Sequence, residues 1–272
     1  MKTLSHRSRI TSVLVIGAIL AFAGLGGTAQ AGAAPTASDD GVTIVNATLL
    51  DSMQITLDRY SVPAGQVRFL VTNGGRSTHE LVVLKTDLAP DQLVPNPDEP
   101  GKVEEEVHMG ETGDIDGTRF NGLQLELGPG NYVIICNEPG HYMAGMRVAF
   151  TVYQPTINVT LDDHMAITLD RSTIYAGTVL FAVTNRGAAL HEFVVLRTDT
   201  PADEMQADPE EVGKIEEEGN IGEIDGVDPS RFSGLQLDLE PGNYLIICNE
   251  PGHFAAGMHL QITVLAAPGG DE

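Results

Sequence analysis

Positive charge is scarce in this chain of 272 residues, which has 15 lysines and arginines against 38 acidic residues and a net charge of −23. A surface of this sign repels phosphate groups, so the composition disfavours nucleic acids and anionic lipids as partners. It favours cations or basic macromolecules, and the alternative interpretation is solubility in a salty or crowded exterior. Tryptophan is also absent, but its absence excludes no class of function.

Residues 1–31 have the composition of an export signal. Three basic residues precede an apolar stretch, and the segment ends on the small-residue sequence Ala29-Gln30-Ala31, as cleaved signals do. The apolar stretch is short for a membrane span and is thinned by glycines. We therefore expect cleavage after about Ala31, no stable membrane insertion afterwards, and a location that is periplasmic, at the cell surface or secreted.

The rest of the sequence is an internal duplication. The segment "NATLLDSMQITLDR" from Asn46 matches "NVTLDDHMAITLDR" from Asn158, and further matches share the same spacing of 112 positions. This is a common domain size, whereas a solenoid would need more and shorter repeats. The sequence predicts a flexible N-terminal segment at 32–41, a first domain at 42–153 (unit 1), a second domain at 154–265 (unit 2) and a C-terminal tail at 266–272.

Short apolar alternations with a period of two, separated by glycine, proline and asparagine turns, fill each unit. No sustained helical pattern is present, so we expect an all-β fold with an antiparallel sandwich or barrel in each unit. The acidic stretches at about 88–119 and 200–231 lack periodicity. They are expected to be long excursions, with room for a turn of helix at their "EEE" sequences.

Cysteine occurs only twice, at Cys136 and Cys248, and each lies in the same setting: "CNEPGHYMAGM" and "CNEPGHFAAGM". A disulfide is the ordinary interpretation in an exported protein. It would require equivalent strand ends of two domains to meet at a narrow separation. The alternative is a metal site, because a thiolate, an imidazole and a thioether at the spacing C-x4-H-x4-M suit copper. A histidine 57 positions upstream of each cysteine, His79 or His191, can supply a fourth donor.

With these motifs the chain resembles the cupredoxins, the small blue copper proteins related to plastocyanin, azurin, auracyanin and rusticyanin. The residues that carry the resemblance are "VTNGGRSTHE" with "PGNYVIICNEPGHYMAGM", and "VTNRGAALHE" with "PGNYLIICNEPGHFAAGM". The resemblance implies two tandem Greek-key β-sandwich domains, one copper ion in each, and electron transfer as the activity. The positions that fall on the family's ligands are His79, Cys136, His141, Met146, His191, Cys248, His253 and Met258.

Two details of the motifs differ from the family or from each other. Many cupredoxins have asparagine after the upstream histidine, whereas this chain has Glu80 and Glu192. We expect these glutamates beside the metal site or at the surface, with only their backbone N–H groups reaching the thiolate. Met143 is an alternative axial donor in unit 1, but its counterpart Ala255 has no donor atom, which favours Met146 and Met258.

Three functions are compatible with these residues. The first is a two-copper electron carrier, whose acidic surface would steer a basic redox partner such as a cytochrome. The second is a two-domain copper enzyme such as a nitrite reductase, which needs additional histidine ligands. Only His108, His164 and His259 remain outside the signal, and they form no His-x-His pair, so surface or packing roles are expected for them. The third is a carrier or buffer of copper itself. The oligomeric state is not predicted.

Overall fold

The computed structural model describes residues 42–268, and apart from one short 3-10 helix every regular element in this range is a β-strand. The export signal predicted at 1–31, the segment up to residue 41 and residues 269–272 lie outside the described part. The elements in chain order are β1 (Thr43–Leu50), β2 (Gln54–Leu57), β3 (Ser61–Pro63), β4 (Gly65–Asn73), β5 (Val82–Lys85), β6 (His108–Glu111), β7 (Phe120–Leu127), β8 (Gly130–Ile135), β9 (Arg147–Tyr153), β10 (Ile157–Asp162), β11 (Ala166–Leu169), β12 (Ile174–Tyr175), β13 (Gly177–Asn185), β14 (His191–Arg197), a 3-10 helix (Ala202–Glu204), β15 (Asn220–Val227), β16 (Phe232–Leu239), β17 (Gly242–Ile247) and β18 (His259–Leu265).

Unit 1 consists of a four-stranded sheet in the order β2-β1-β4-β7 and a five-stranded sheet in the order β3-β9-β8-β5-β6. The pairs β1–β4 and β3–β9 are parallel, and the other pairs are antiparallel. Buried and more exposed positions alternate along β1 and β4, because each sheet buries one face. The core between the sheets includes Phe69 and Phe150, whose ring centroids lie 5.6 Å apart.

Unit 2 repeats this arrangement with sheets in the orders β11-β10-β13-β16 and β12-β18-β17-β14-β15. The pairs β10–β13 and β12–β18 are parallel, as in unit 1. Phe181, the counterpart of Phe69, instead contacts Phe193 of β14, with ring centroids 5.4 Å apart, because Ile262 occupies the position of Phe150. The predicted all-β fold with two tandem sandwiches is confirmed. Within residues 42–268, no helix is long and apolar enough to cross a membrane.

The acidic excursions differ from what the sequence predicts. Each contains a strand, β6 or β15, that extends the edge of its five-stranded sheet by pairing with β5 or β14. No helix forms at the "EEE" sequences of the described excursions, and the 3-10 helix at Ala202–Glu204 precedes the second of them. All but one of the side chains in these edge strands are exposed or half-buried, so the strands show little of the apolar alternation by which strands are recognised.

An asparagine after each cysteine attaches the excursion to the rest of its unit. The side chain of Asn137 accepts a hydrogen bond from the N–H of Val103 at 2.9 Å and donates one to its carbonyl at 3.0 Å. Asn249 makes the same pair of bonds with Ile215. Both asparagines are buried, so each excursion is held against the end of the cysteine strand.

Candidate metal centres

The upstream histidine of unit 1 is positioned by the turn that follows β4. Asn73, the last residue of β4, donates from its side chain to the carbonyls of Ser77 and Ile115 at 2.8 and 2.7 Å. His79 then forms an isolated antiparallel bridge with Ile115. The imidazole is fully buried. Asn185 makes the corresponding bonds in unit 2 and leads to His191, which is also fully buried.

The other three predicted ligands of unit 1 share one loop between β8 and β9. The N–H of Cys136 donates to the carbonyl of Met146 at 3.1 Å, and the N–H of Met146 donates to the carbonyl of His141 at 3.0 Å. Gly140 and Gly145 adopt φ values of 85° and 111°, which other residues rarely adopt. These bonds and turns fold the loop back on itself, so the two ends of the C-x4-H-x4-M motif meet.

The donor atoms of unit 1 converge in this structure. Nδ1 of His79 lies 3.2 Å from Nδ1 of His141, and Sγ of Cys136 lies 3.9 and 3.3 Å from these two nitrogens. All three side chains are buried or half-buried. The fold therefore brings His79 and Cys136, which are 57 residues apart in the sequence, into one compact group of donor atoms.

Unit 2 reproduces the group almost atom for atom. Nδ1 of His191 lies 3.3 Å from Nδ1 of His253, and Sγ of Cys248 lies 3.8 and 3.3 Å from these nitrogens. Corresponding separations in the two units agree within 0.1 Å. The duplicated motifs therefore produce two equivalent donor groups.

The donor separations fit one metal ion in each unit. Bonds of about 2.0–2.1 Å to nitrogen and 2.3 Å to sulfur, at trigonal or tetrahedral angles, place the donors about 3.3–3.8 Å apart. The observed values of 3.2–3.9 Å bracket that range. Two imidazoles and one thiolate are the trigonal donors of blue copper sites. The chemistry of the donor set and its spacing therefore both fit copper.

The methionines have unequal surroundings. Met146 and Met258 are fully buried and belong to the same core clusters as Cys136 and Cys248. Met143 is 66% exposed, so its thioether lies at the surface. The burial is consistent with Met146 and Met258 as axial donors. The ligand role of all eight residues stays a prediction.

Burial controls the protonation of the donors. It raises the pKa of the Cys136 thiol to about 11, and it also raises the pKa of Cys248. Burial and the neighbouring imidazole of His79 lower the pKa of His141. In the metal-free protein at neutral pH the thiols are thus protonated and His141 is neutral. A metal ion must displace the thiol proton, so binding releases protons.

Backbone N–H groups are aimed at both sulfurs. The N–H of Glu80 lies 3.4 Å from Sγ of Cys136, and the N–H of Glu192 lies 3.2 Å from Sγ of Cys248. Neither carboxylate is among the converging donor groups of the described residues. Burial raises the pKa of each glutamate to about 7, with further repulsion from neighbouring acidic residues. Each carboxyl group therefore lies beside the centre as a partly protonated neighbour.

Sequence reasoning missed an aspartate in each centre. Nε2 of His79 lies 3.3 Å from a carboxylate oxygen of Asp51, which also accepts the N–H groups of Arg76 and Ser77. These backbone hydrogen bonds lower the pKa of Asp51, so the carboxylate is ionised. An ionised carboxylate in this position favours the tautomer with the proton on Nε2, in which the Nδ1 lone pair faces the other donors.

Unit 2 has the same pair of residues, but without a hydrogen bond between them. Nε2 of His191 lies 3.4 Å from Asp163 and has no hydrogen-bond partner, while hydrogen bonds from the N–H groups of Ala188 and Ala189 lower the pKa of Asp163. Asp51 and Asp163 are 112 positions apart within the duplicated segments. Their shared position was the available signal, but nothing in a strand-turn sequence indicates which histidine a carboxylate will meet.

The remaining predictions for the site residues concern the cysteines and the other histidines. Both cysteines are free and buried, so the disulfide interpretation is wrong for this structure. His108 and His164 are exposed, and the ring of His259 packs against Phe254 at 5.1 Å between centroids. None of these three histidines joins the copper donor groups.

Comparison with protein families gives a match to unit 2. The family model described as "Sulfocyanin (SoxE) domain" matches residues 157–268. Among curated proteins, no sequence matches the chain. The domain match confirms the resemblance to the cupredoxins that the motifs predict, and the donor groups fit the copper that such proteins bind.

Solved structures with similar folds include auracyanins and a larger oxidase. Reduced auracyanin from Roseiflexus castenholzii is 19% identical, covers 40% of this chain and 95% of its own, and has a TM-score of 0.33. Auracyanin A from Chloroflexus aurantiacus is 19% identical over 41% of this chain and 99% of its own, with a TM-score of 0.34. A multicopper oxidase is 12% identical, covers 85% and 92% of the two chains, and has a TM-score of 0.27.

Proposed function

We propose that this chain, whose second unit matches the sulfocyanin domain, is an exported electron carrier that binds one blue copper ion in each unit. The observation that carries the proposal is the presence of two complete donor groups, His79, Cys136 and His141 in unit 1 and His191, Cys248 and His253 in unit 2, at matching separations. A buried methionine accompanies each group.

Copper in such a site would supply one-electron chemistry, and the protein would keep the donor atoms in place while the oxidation state of the copper changes. The hydrogen bonds of the Cys136–Met146 loop hold three of the predicted ligands in one loop conformation. Asp51 and the fold around Asn73 hold His79 from the other side. Donors fixed in this way need little rearrangement when the charge of the metal changes, which favours rapid electron transfer.

The exchange surface is proposed to lie at the histidine of the ligand loop. His141 is half-buried, whereas the adjoining Gly140 and Met143 are exposed. A small apolar patch of this kind suits a brief encounter, because redox partners must separate quickly. The net charge of −23 favours a basic partner, such as a cytochrome, whose association slows as the ionic strength rises.

Two other functions are weaker proposals. A copper enzyme built from this chain alone would need further histidine ligands, and the three remaining histidines of the described residues lie outside the copper groups. Delivery of copper to another protein uses the same donors. It would require copper to dissociate readily. The hydrogen-bonded ligand loops and the buried thiols instead favour retention of the copper. Export is proposed from the composition of residues 1–31.

The test is to load the chain with Cu(II), count copper per chain and record visible and electron spin resonance spectra. The proposal expects two coppers, an intense thiolate-to-copper band and narrow hyperfine splitting. It also expects both coppers to be reduced reversibly and to be retained during dialysis against a chelator. Fewer than two coppers, a colourless product or rapid copper loss would contradict the proposed function as an electron carrier.

A further inference from the structure

A third cluster of metal-binding side chains lies in unit 1, outside the copper donor group. Nε2 of His108 lies 3.8 Å from an oxygen of Glu105 and 3.9 Å from an oxygen of Glu111, and the three donor atoms lie within 4.8 Å of one another. We propose that Glu105, His108 and Glu111 form a separate site for a divalent cation of the zinc class. This proposal does not rest on the copper function.

A bulge in the β5–β6 pairing brings two of the three side chains together. Val83 pairs with Gly110 and Leu84 pairs with His108, so Met109 is an extra residue in β6. Side chains three positions apart on a regular strand point to opposite faces. The extra residue shifts that alternation by one position. His108 and Glu111 can therefore approach each other on one side of the edge strand.

Glu105 is held in place by Asn137, the residue directly after Cys136. Oε1 of Glu105 accepts a hydrogen bond of 2.7 Å from the side chain of Asn137. Asn137 is buried and is itself fixed by its two bonds to Val103. Because Oε1 is used in this way, Oε2 is the oxygen that faces His108. One donor of the site is thus positioned before any ion binds.

Unit 2 provides a matched control for the role of His108. Glu217 and Glu223 occupy the positions of Glu105 and Glu111, but Asn220 replaces the histidine. The amide nitrogen of Asn220 donates to both glutamates, at 2.8 and 2.7 Å. In that cluster the donor hydrogens of the amide satisfy the two carboxylates. Unit 2 therefore has the acidic pair without an imidazole nitrogen that could bind a metal.

The histidine in unit 1 leaves the corresponding carboxylates open. Separations of 3.8 and 3.9 Å exceed hydrogen-bond length, and an imidazole nitrogen can donate an electron pair to a metal. One imidazole with two carboxylates is a set that zinc accepts, with water completing its coordination. The three side chains are 30–44% exposed, so an ion can enter, and the negative net charge favours its approach.

The experiment titrates zinc sulfate into the full chain after both copper sites have been filled, with heat of binding and metal content as readouts. One zinc per chain is expected, with no loss of copper. His108→Asn, which copies unit 2, should abolish this binding while the circular dichroism and the copper content stay unchanged. Asn220→His should create a second zinc site. Calcium and magnesium should bind more weakly than zinc, because neither prefers imidazole.

Three outcomes would overturn the proposal. The first is the absence of zinc binding to the copper-loaded chain. The second is a zinc stoichiometry that His108→Asn leaves unchanged, and the third is zinc uptake that equals the copper released. If Asn220→His adds no zinc site, the difference between histidine and asparagine does not explain why unit 1 binds zinc and unit 2 does not. The site in unit 1 is then tested by His108→Asn alone.

Discussion

Unit 1 and unit 2 have nearly identical copper donor groups set in different surroundings. The nitrogen and sulfur separations agree within 0.1 Å. However, His79 precedes the four-residue strand β5, whereas His191 begins the seven-residue strand β14. Met143 is an exposed thioether where unit 2 has Ala255. The comparison shows that the donors are reproduced by the repeat while the protein around them has diverged.

This divergence gives the two centres different environments for the same chemistry. Acidic neighbours repel both glutamates, but Glu80 is only 8% exposed, whereas Glu192 is half-buried and lies 3.8 Å from the ammonium group of Lys214. Charge near a metal centre changes the stability of its oxidation states. We therefore expect two distinguishable reduction potentials, and each unit serves as the internal control for a change in the other.

The largest effect is expected from replacing one cysteine. Cys136→Ser should reduce the copper content from about two ions to one and remove about half of the thiolate-to-copper absorption, because the thiolate is the strongest donor in the set. Cys248→Ser should do the same for unit 2. Copper analysis and visible spectra of both variants test this. Loss of all colour from either single variant would mean that the two donor groups do not act separately.

The next effect concerns the aspartates that hold the upstream histidines. Asp51→Asn should weaken copper binding in unit 1 by about 10–100-fold and shift the potential of that centre upward, because a charged partner makes the imidazole a better donor. Asp163→Asn is the matched variant in unit 2. Copper affinity and potential are measured for each unit.

Measurements on the metal-free chain distinguish an effect of Asp51 on the imidazole of His79 from a purely structural role of Asp51. Nitrogen chemical shifts of the imidazole of His79 should show the proton on Nε2, and Asp51→Asn should reduce that preference. Asp51→Glu should restore part of it. An unchanged tautomer and an unchanged potential in Asp51→Asn would show that the 3.3 Å approach of Asp51 has no influence on the site.

Glu80 and Glu192 should produce a smaller, pH-dependent effect in the copper-free chain. The pKa of Glu80 is raised to about 7 from an ordinary value of 4.5, so the folded state binds a proton more strongly than the unfolded state. The free energy of unfolding should therefore fall as the pH rises from about 4.5 through 7. Glu80→Gln should flatten that decline, as should Glu192→Gln, when denaturant unfolding is followed at several pH values.

The smallest effect is expected at Met143. Met143→Ala copies Ala255 of unit 2 and removes a side chain that is 66% exposed. The copper spectrum of unit 1 should stay unchanged, while electron exchange with a basic cytochrome should slow modestly. Stopped-flow rates at low and high ionic strength provide the measurement. A changed spectrum would instead indicate that Met143, and not Met146, lies near the metal.

Part of each candidate donor group could be predicted from the sequence, because its cysteine and second histidine share one short loop with a methionine. Cys136, His141 and Met146 lie within eleven residues, and the duplication repeats the pattern at Cys248. Period-two alternation likewise predicted the all-β fold, since a strand that buries one face has an apolar residue at every second position of its sequence. The edge strands β6 and β15 could not be predicted in this way, because their exposed faces lack apolar alternation.

The sequence by itself determined the duplication, the sandwich class and the chemistry of the donor residues, because these depend on residue type and short spacing. The tertiary structure alone decided that Asp51 meets His79, since 28 residues and a turn separate them. It also decided that a bulge places His108 beside Glu111. Contacts of this kind depend on where the backbone folds back, and that position is set by the packing of the whole unit.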